Sequence, residues 1–245
     1  MVTKRGNDDA NRLTGTNDTD YLYGRSGDDL LYGYGGNDFL YGEEGNDTID
    51  AGGGHNQIWG GEGNDRIVSG SGNDSIWGGE GDDTINAGSG NNRLSLSEGN
   101  DYAVTGSGSD IISGGEGNDV IYAGAGNDNL SGGEGDDNIY GQAGNDRIVA
   151  HEGNDILNGG AGNDIMTGGE GADVFVFNGG RDVVTDFENG DDRIDVSYYG
   201  RFDSFSDIRA ASSQSGSDVI VKSGQDYIVL EDTRLNQLSH DDFLW

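Results

Sequence analysis

The sequence predicts an all-β fold: a right-handed parallel β-roll with a β-rich cap at its carboxy-terminal end. Three observations carry that reading. A nine-residue repeat runs without insertion through 18 copies over 15–176, each copy holds one apolar residue at its eighth position, and the 245 residues contain 48 Gly but no Pro. Only 31% of the chain is hydrophobic and its formal charge is −33, so a large conventional core is excluded. The charge also argues against nucleic acid and anionic membranes as partners, since both bind basic surfaces, and points to cations.

Positions 1–14 form a lead-in. Met1-Val2-Thr3-Lys4-Arg5 has no apolar stretch behind its basic pair and is not a conventional secretory signal. The longest run of large apolar residues, Val174-Phe175-Val176-Phe177, is far too short to span a bilayer, so the chain is not transmembrane.

The nonads follow, for example Gly60-Gly-Glu-Gly-Asn-Asp-Arg-Ile-Val68. Position 4 is Gly in 17 of 18 copies, with Asp18 the exception, and position 6 is Asp in 16, with Asn56 and Asn92 the others. Glycine at positions 1, 2 and 4 is expected to give positive φ and inward carbonyls. Positions 7 to 9 are expected to form three-residue strands whose middle side chain faces inward. One apolar residue in nine makes no helix face, but it lines the thin interior of coils stacked on one another. Missing proline fits, because every stacked strand needs its amide hydrogen.

A second period, of 18, overlies the first. Glu occupies position 3 in alternate nonads, at 44, 62, 80, 98, 116, 134, 152 and 170. One coil therefore holds two nonads, and the turns separate onto two edges. The first edge carries Asp20, Asp38, Asn56, Asp74, Asn92, Asp110, Asp128, Asp146 and Asp164. The second carries Asp29, Asp47, Asp65, Asp83, Asp101, Asp119, Asp137, Asp155 and Asp173. Nine coils at about 4.8 Å make a rod of roughly 43 Å.

Carboxylates stacked about 4.8 Å apart repel unless a cation separates them. A cation midway lies about 2.4 Å from each level, within the calcium–oxygen range, and carbonyl and carboxylate oxygens are hard ligands. Magnesium prefers shorter bonds and retained waters. Zinc and copper want Cys or His, and the chain has no Cys and three scattered His. Calcium is the predicted cofactor. Nine turns per edge leave at most 16 gaps, and filling them would bring −33 to about −1. The four gaps beside Asn56 and Asn92 are expected to be weaker or vacant, since an amide oxygen lacks a carboxylate's charge.

The motif Gly-Gly-x-Gly-Asn/Asp-Asp-x-Ile/Leu-x resembles the repeat of the RTX (repeats-in-toxin) family, known as a calcium-binding parallel β-roll. The resemblance covers 15–176. It implies a chain unfolded in the calcium-poor cytosol that folds outside the cell. It also implies ligation through the position-6 Asp and backbone carbonyls of the turn: Gly60, Gly61 and Gly63 with Asp65; Gly78, Gly79 and Gly81 with Asp83; Gly114, Gly115 and Gly117 with Asp119; Gly132, Gly133 and Gly135 with Asp137. Asp18, Leu96-Ser97, Asn56 and Asn92 depart from the pattern.

Beyond 176 glycine thins and apolar alternation appears, as in Asp182-Val-Val-Thr-Asp-Phe187, Arg193-Ile-Asp-Val196, Asp218-Val-Ile-Val221 and Tyr227-Ile-Val-Leu230. These read as strands capping the roll over 177–245, with short helices expected at 204–211 and 235–243. The segment 175–197 resembles the region closing the roll in serralysin-type secreted proteases. The ending Asp241-Asp-Phe-Leu-Trp245 reads on physical grounds as a last packed strand, and resembles the uncleaved signal of type I secretion systems. The resemblance makes that machinery a partner and the localisation extracellular.

No His-Glu-x-x-His or Gly-x-Ser-x-Gly occurs and no Cys is present, so the chain is expected not to be an enzyme. His55 and His151 read as exposed turn substitutions. The Glu column reads as a solvated edge, or as a cation-concentrating or basic-partner surface. Position 9 places Tyr23, Tyr41, Trp59 and Trp77 in an outward ladder that either stabilises stacked strands or offers a platform for sugar rings of a polysaccharide or cell surface, or for an upstream domain. A calcium-binding secreted module is the leading reading. The alternatives are a calcium-scaffolded carbohydrate- or surface-binding protein and the carboxy-terminal part of a larger secreted enzyme.

Overall fold

A computed structural model describes all residues, Met1–Trp245. Two sheets face each other along a rod, one of 14 strands and one of 12; through the roll they are parallel and successive strands of the chain alternate between them. Within the roll each strand pairs with the next but one in the chain, as in Leu22 with Leu40, Ile58 with Ile76 and Ile49 with Ile67. Position 8 faces inward throughout. Leu22, Leu40, Ile58 and Ile76 from one sheet meet Leu31, Ile49, Ile67 and Ile85 from the other, each at most 1% exposed. The interior is therefore built mainly on one column of side chains per sheet, supplemented at the turns by Ala51, Ala87, Leu96, Ala123 and Ala150, which explains how a weakly hydrophobic chain has a continuous core.

The two sheets are not equivalent. Strands of the 12-stranded sheet are mostly three residues long, such as Arg66–Val68, as expected for positions 7 to 9. Those of the other sheet mostly run six residues, such as Gln57–Glu62, because pairing resumes at Gly61 and continues into the Glu column. Stacking also begins inside the lead-in, where Thr3–Arg5 pairs with Tyr21–Tyr23 and Arg12–Thr14 with Leu30–Tyr32. Lys4 stands at the head of the inward column, in register with Leu22, and its ammonium donates to the Thr14 hydroxyl at 3.3 Å.

The cap continues the ladder before turning. Arg181–Val184 and Arg193–Asp195 extend the two sheets in parallel, Asp226–Leu230 adds a further parallel strand beside Arg181–Val184, and Asp218–Ser223 and then Ser212–Ser215 pair antiparallel beyond it. A helix spans Phe205–Ala211, where one was expected. The helix expected over 235–243 is instead a short 3₁₀ turn, His240–Asp242, with Ser239 as its amino-terminal cap, and the strand Phe243–Leu244. Phe243 is drawn into register with Ile194, so burial in the last rung overrides local helix propensity. No helix is long and apolar enough to cross a membrane.

Candidate metal sites

Every position-6 side chain lies where the double-nonad period places it, in two buried columns. All 16 Asp are at most 3% exposed, as are Asn56 and Asn92. One carboxylate oxygen, Oδ1, is engaged by the neighbouring coil. Asp47 N–H donates to Asp65 Oδ1 at 2.7 Å, Asp65 N–H to Asp83 at 2.8 Å and Asp101 N–H to Asp119 at 2.8 Å. The other oxygen, Oδ2, is buried without any hydrogen-bond partner in 15 of these residues, from Asp29 to Asp173. Asp20 alone escapes, because Thr16 donates to it.

Fifteen unpartnered carboxylate oxygens are a severe desolvation cost for a metal-free chain. Burial pushes the Asp65 carboxyl up to about 8; the Asp47 N–H opposes this, while the Asp83 and Asp47 charges add to it. Burial likewise raises Asp83, Asp119 and Asp173 to about 7, each with a neighbouring Asp adding repulsion. No basic side chain pairs with either column.

The turn glycines divide into two kinds. At positions 2 and 4 φ is positive, as at Gly61 (+128°) and Gly63 (+115°), which agrees with the expectation. Position 1 departs from it: Gly60, Gly78, Gly114 and Gly132 do not have positive φ. Space is the reason there. A Cβ on Gly60 would fall onto Asp65 Oδ2 and the Gly78 carbonyl oxygen of the next coil, and one on Gly114 onto Asp119 Oδ2 and the Gly132 carbonyl. Each such turn thus leaves a small cradle between an unpartnered carboxylate oxygen and a carbonyl oxygen. That donor set is all hard oxygen and negatively charged, which fits calcium. Three or more acidic or His side chains nowhere converge, so each turn offers one carboxylate and carbonyls rather than a carboxylate cage.

Two features were missed by sequence reasoning. Asp182 and Asp192 continue the two columns into the cap, accepting from Asp164 N–H at 3.2 Å and Asp173 N–H at 2.9 Å. Asp182 keeps the nonad spacing from Asp173 and was open to detection; Asp192 stands one position late in its column, and that single extra residue hides the period. Position 5 forms an outer ladder running the opposite way, with Asn64 N–H donating to Asn46 at 2.8 Å and Asp82 N–H to Asn64 at 3.0 Å. Its recurrent Asn or Asp was the signal. His55 joins this ladder, with Nδ1 accepting the Asn73 N–H at 2.8 Å, and it and His151 are exposed.

The aromatic ladder is present. Tyr23–Tyr41, Tyr41–Trp59 and Trp59–Trp77 stack at 4.8, 4.4 and 4.7 Å, within 4° of parallel. The rings cover each other's faces, and Arg5 covers the outer face of Tyr23 at 4.8 Å. The Glu column is in register and exposed, from Glu44 to Glu170.

Seven stretches, together covering 5–184, match the RTX calcium-binding nonapeptide repeat, each in a unit of 4 copies. No curated protein matches the chain. Among solved structures, an extracellular lipase from Serratia marcescens is 21% identical with a TM-score of 0.38, over 72% of this chain and 40% of that one. A subunit of a mannuronan C5-epimerase from Azotobacter vinelandii is 28% identical with a TM-score of 0.37, over 58% of this chain and 80% of that one. The chain thus spans less than half of the lipase's length.

Proposed function

The chain belongs to the RTX calcium-binding nonapeptide-repeat family, and from that premise we propose that it is a secreted module whose roll folds when calcium enters the turns outside the cell. The observation that carries this is the set of 15 buried, unpartnered Oδ2 atoms. The position-6 Asp with an unpartnered Oδ2, from Asp29 to Asp173, would hold the ions, and carbonyls such as those of Gly78 and Gly132 would complete the shells; Asp20 and Asp192, with both oxygens already accepting N–H or O–H groups, close the columns at either end. Bound calcium supplies positive charge between like-charged rungs. The chain's own residues do the remainder. Oδ1 fixes the register of the neighbouring coil, position-1 glycines keep the cradle open, and the inward Leu and Ile columns exclude water.

Folding is then coupled to ion concentration, each site adding RT ln(1 + [Ca]/Kd) when the unfolded chain does not bind. Extracellular calcium modules bind at about 10⁻⁴–10⁻³ M, which would leave the chain threadable before export. Residues 177–245 serve in this reading as the roll's cap, with the terminal Asp241-Asp242-Phe243-Leu244-Trp245 as the type I secretion signal.

Circular dichroism during a calcium titration tests the proposal. A cooperative gain of β-structure with calcium, and none with equal magnesium, is expected. A chain already ordered in excess chelator, with elemental analysis finding no retained metal, would overturn it.

A further inference from the structure

The two edges differ in a way that charge alone does not describe. At Asn56 the side-chain oxygen accepts the Asp38 N–H at 3.0 Å, which fixes the orientation of the amide, and Nδ2 donates to the Gly54 carbonyl of its own turn at 3.4 Å. Asn92 repeats the pattern, accepting from Asp74 N–H at 3.0 Å and donating to the Gly90 carbonyl at 3.1 Å. Neither amide has an unpartnered buried atom, in contrast to the 15 Asp. Position 1 varies on both edges, with Ala123 beginning an Asp turn on this one and Leu96 and Ala150 beginning Asp turns on the other. Ala51 and Ala87, both fully buried, begin the two Asn turns where Gly60 and Gly78 begin turns on the other edge. Between and beyond them Ser69 donates its hydroxyl to the Ala87 carbonyl at 2.8 Å and Thr105 donates to the Ala123 carbonyl.

We propose that Asn56 and Asn92 are built-in substitutes for the cation: their amide groups donate to position-4 carbonyls of their own turns, Gly54 and Gly90, counterparts of the turn carbonyls expected to ligate calcium, so the middle of the first edge holds its turns without metal. This rests on the calcium reading of the Asp turns and refines it. An Asp in this place leaves an oxygen that needs a positive partner, whereas an Asn supplies a donor from the same atom position and leaves nothing to satisfy. The Asn turns are then metal-independent rungs rather than damaged sites. The second edge, all Asp with an unpartnered Oδ2 from Asp29 to Asp173, is the one that takes ions without interruption.

Calcium bound per folded chain, measured by equilibrium dialysis with elemental analysis, tests this on the full chain and on Asn56→Asp/Asn92→Asp. Each amide borders two gaps, so the double variant is expected to bind ~2–4 more ions than the unaltered chain. An unchanged count overturns the inference. The converse variant, Asp65→Asn, is expected to bind fewer ions yet keep the β-signal of the roll in saturating calcium. Loss of that signal also overturns the inference. Failure of the unaltered chain to bind calcium or to fold with it would instead sink the underlying calcium reading, and is told apart by the unaltered chain alone.

Discussion

Asp65 accepts the backbone N–H of Asp47 at 2.7 Å with one carboxylate oxygen and leaves the other buried and unpartnered. One side chain thus sets the register of its neighbour and offers a free ligand atom. Asp65→Ala removes both roles. In saturating calcium it is expected to lower the free energy of unfolding by about 1–3 kcal/mol through the orphaned Asp47 N–H, beyond any loss of ion binding. Urea denaturation of the calcium-loaded chain measures this, and a curve overlying the parent's would contradict it.

Acid should replace calcium in part. Burial raises the folded-state values of Asp38, Asp47 and Asp65 from the ordinary 3.8 to about 6, 7 and 8. A carboxyl whose folded value lies above its unfolded one binds more protons when folded, so the metal-free roll loses stability as pH rises from about 4 through about 8. Metal-depleted chain is therefore expected to gain β-structure on acidification from pH 8 to pH 5. Protons compete for the same oxygens, so the calcium midpoint should rise over that interval. A metal-free dichroism spectrum indifferent to pH would refute the argument.

Position 2 predicts opposite effects at neighbouring levels. Gly133 has φ +134° and its Cβ would strike the Gly115 carbonyl, so Gly133→Ala should cost about 1 kcal/mol or more. His151, one coil on, holds φ +87° with a side chain. Relief of that conformation is partly offset by glycine's greater freedom when unfolded, so His151→Gly should be neutral to stabilising by roughly 1 kcal/mol. Thermal melts of the calcium-loaded variants check the pair, and stabilisation by Gly133→Ala would be the damaging result.

The aromatic ladder is expected to act on stability. Trp59 has a ring on each face, Tyr41 at 4.4 Å and Trp77 at 4.7 Å. Trp59→Ala removes two stacked pairs, each worth about 0.5–1.5 kcal/mol beyond buried area. Its melting temperature in calcium should fall. An unchanged melt together with lost binding on a glycan array would assign the ladder to sugar recognition instead.

Periodicity made the core and the columns legible: Leu22, Ile58 and Ile67 face inward and Asp29 to Asp173 stack as their spacing requires. What escaped depended on three-dimensional neighbours. The glycine at 60 reads as a φ requirement, yet its reason is the Gly78 carbonyl of the adjoining coil. Asp192 was hidden by one inserted residue. The stretch ending in Phe243 carries helix-like spacing, but pairing with Ile194 decides its conformation. The amides of Asn56 and Asn92 read as deficits of charge, and only their donors to Gly54 and Gly90 reveal a positive role.

Because every strand of the roll pairs with the next but one, the rod has a quantum of length, the double nonad. Excising one full quantum, 60–77, should leave a shorter rod with Trp59 meeting Ser95, the second edge still all Asp, and Asn56 and Asn92 brought into adjacent coils on the first. Excising only 60–68 would transpose everything downstream to the opposite side, throwing the Glu row against bare glycine corners. Such a chain can be lengthened or trimmed like a ladder of double steps, and never by a single one.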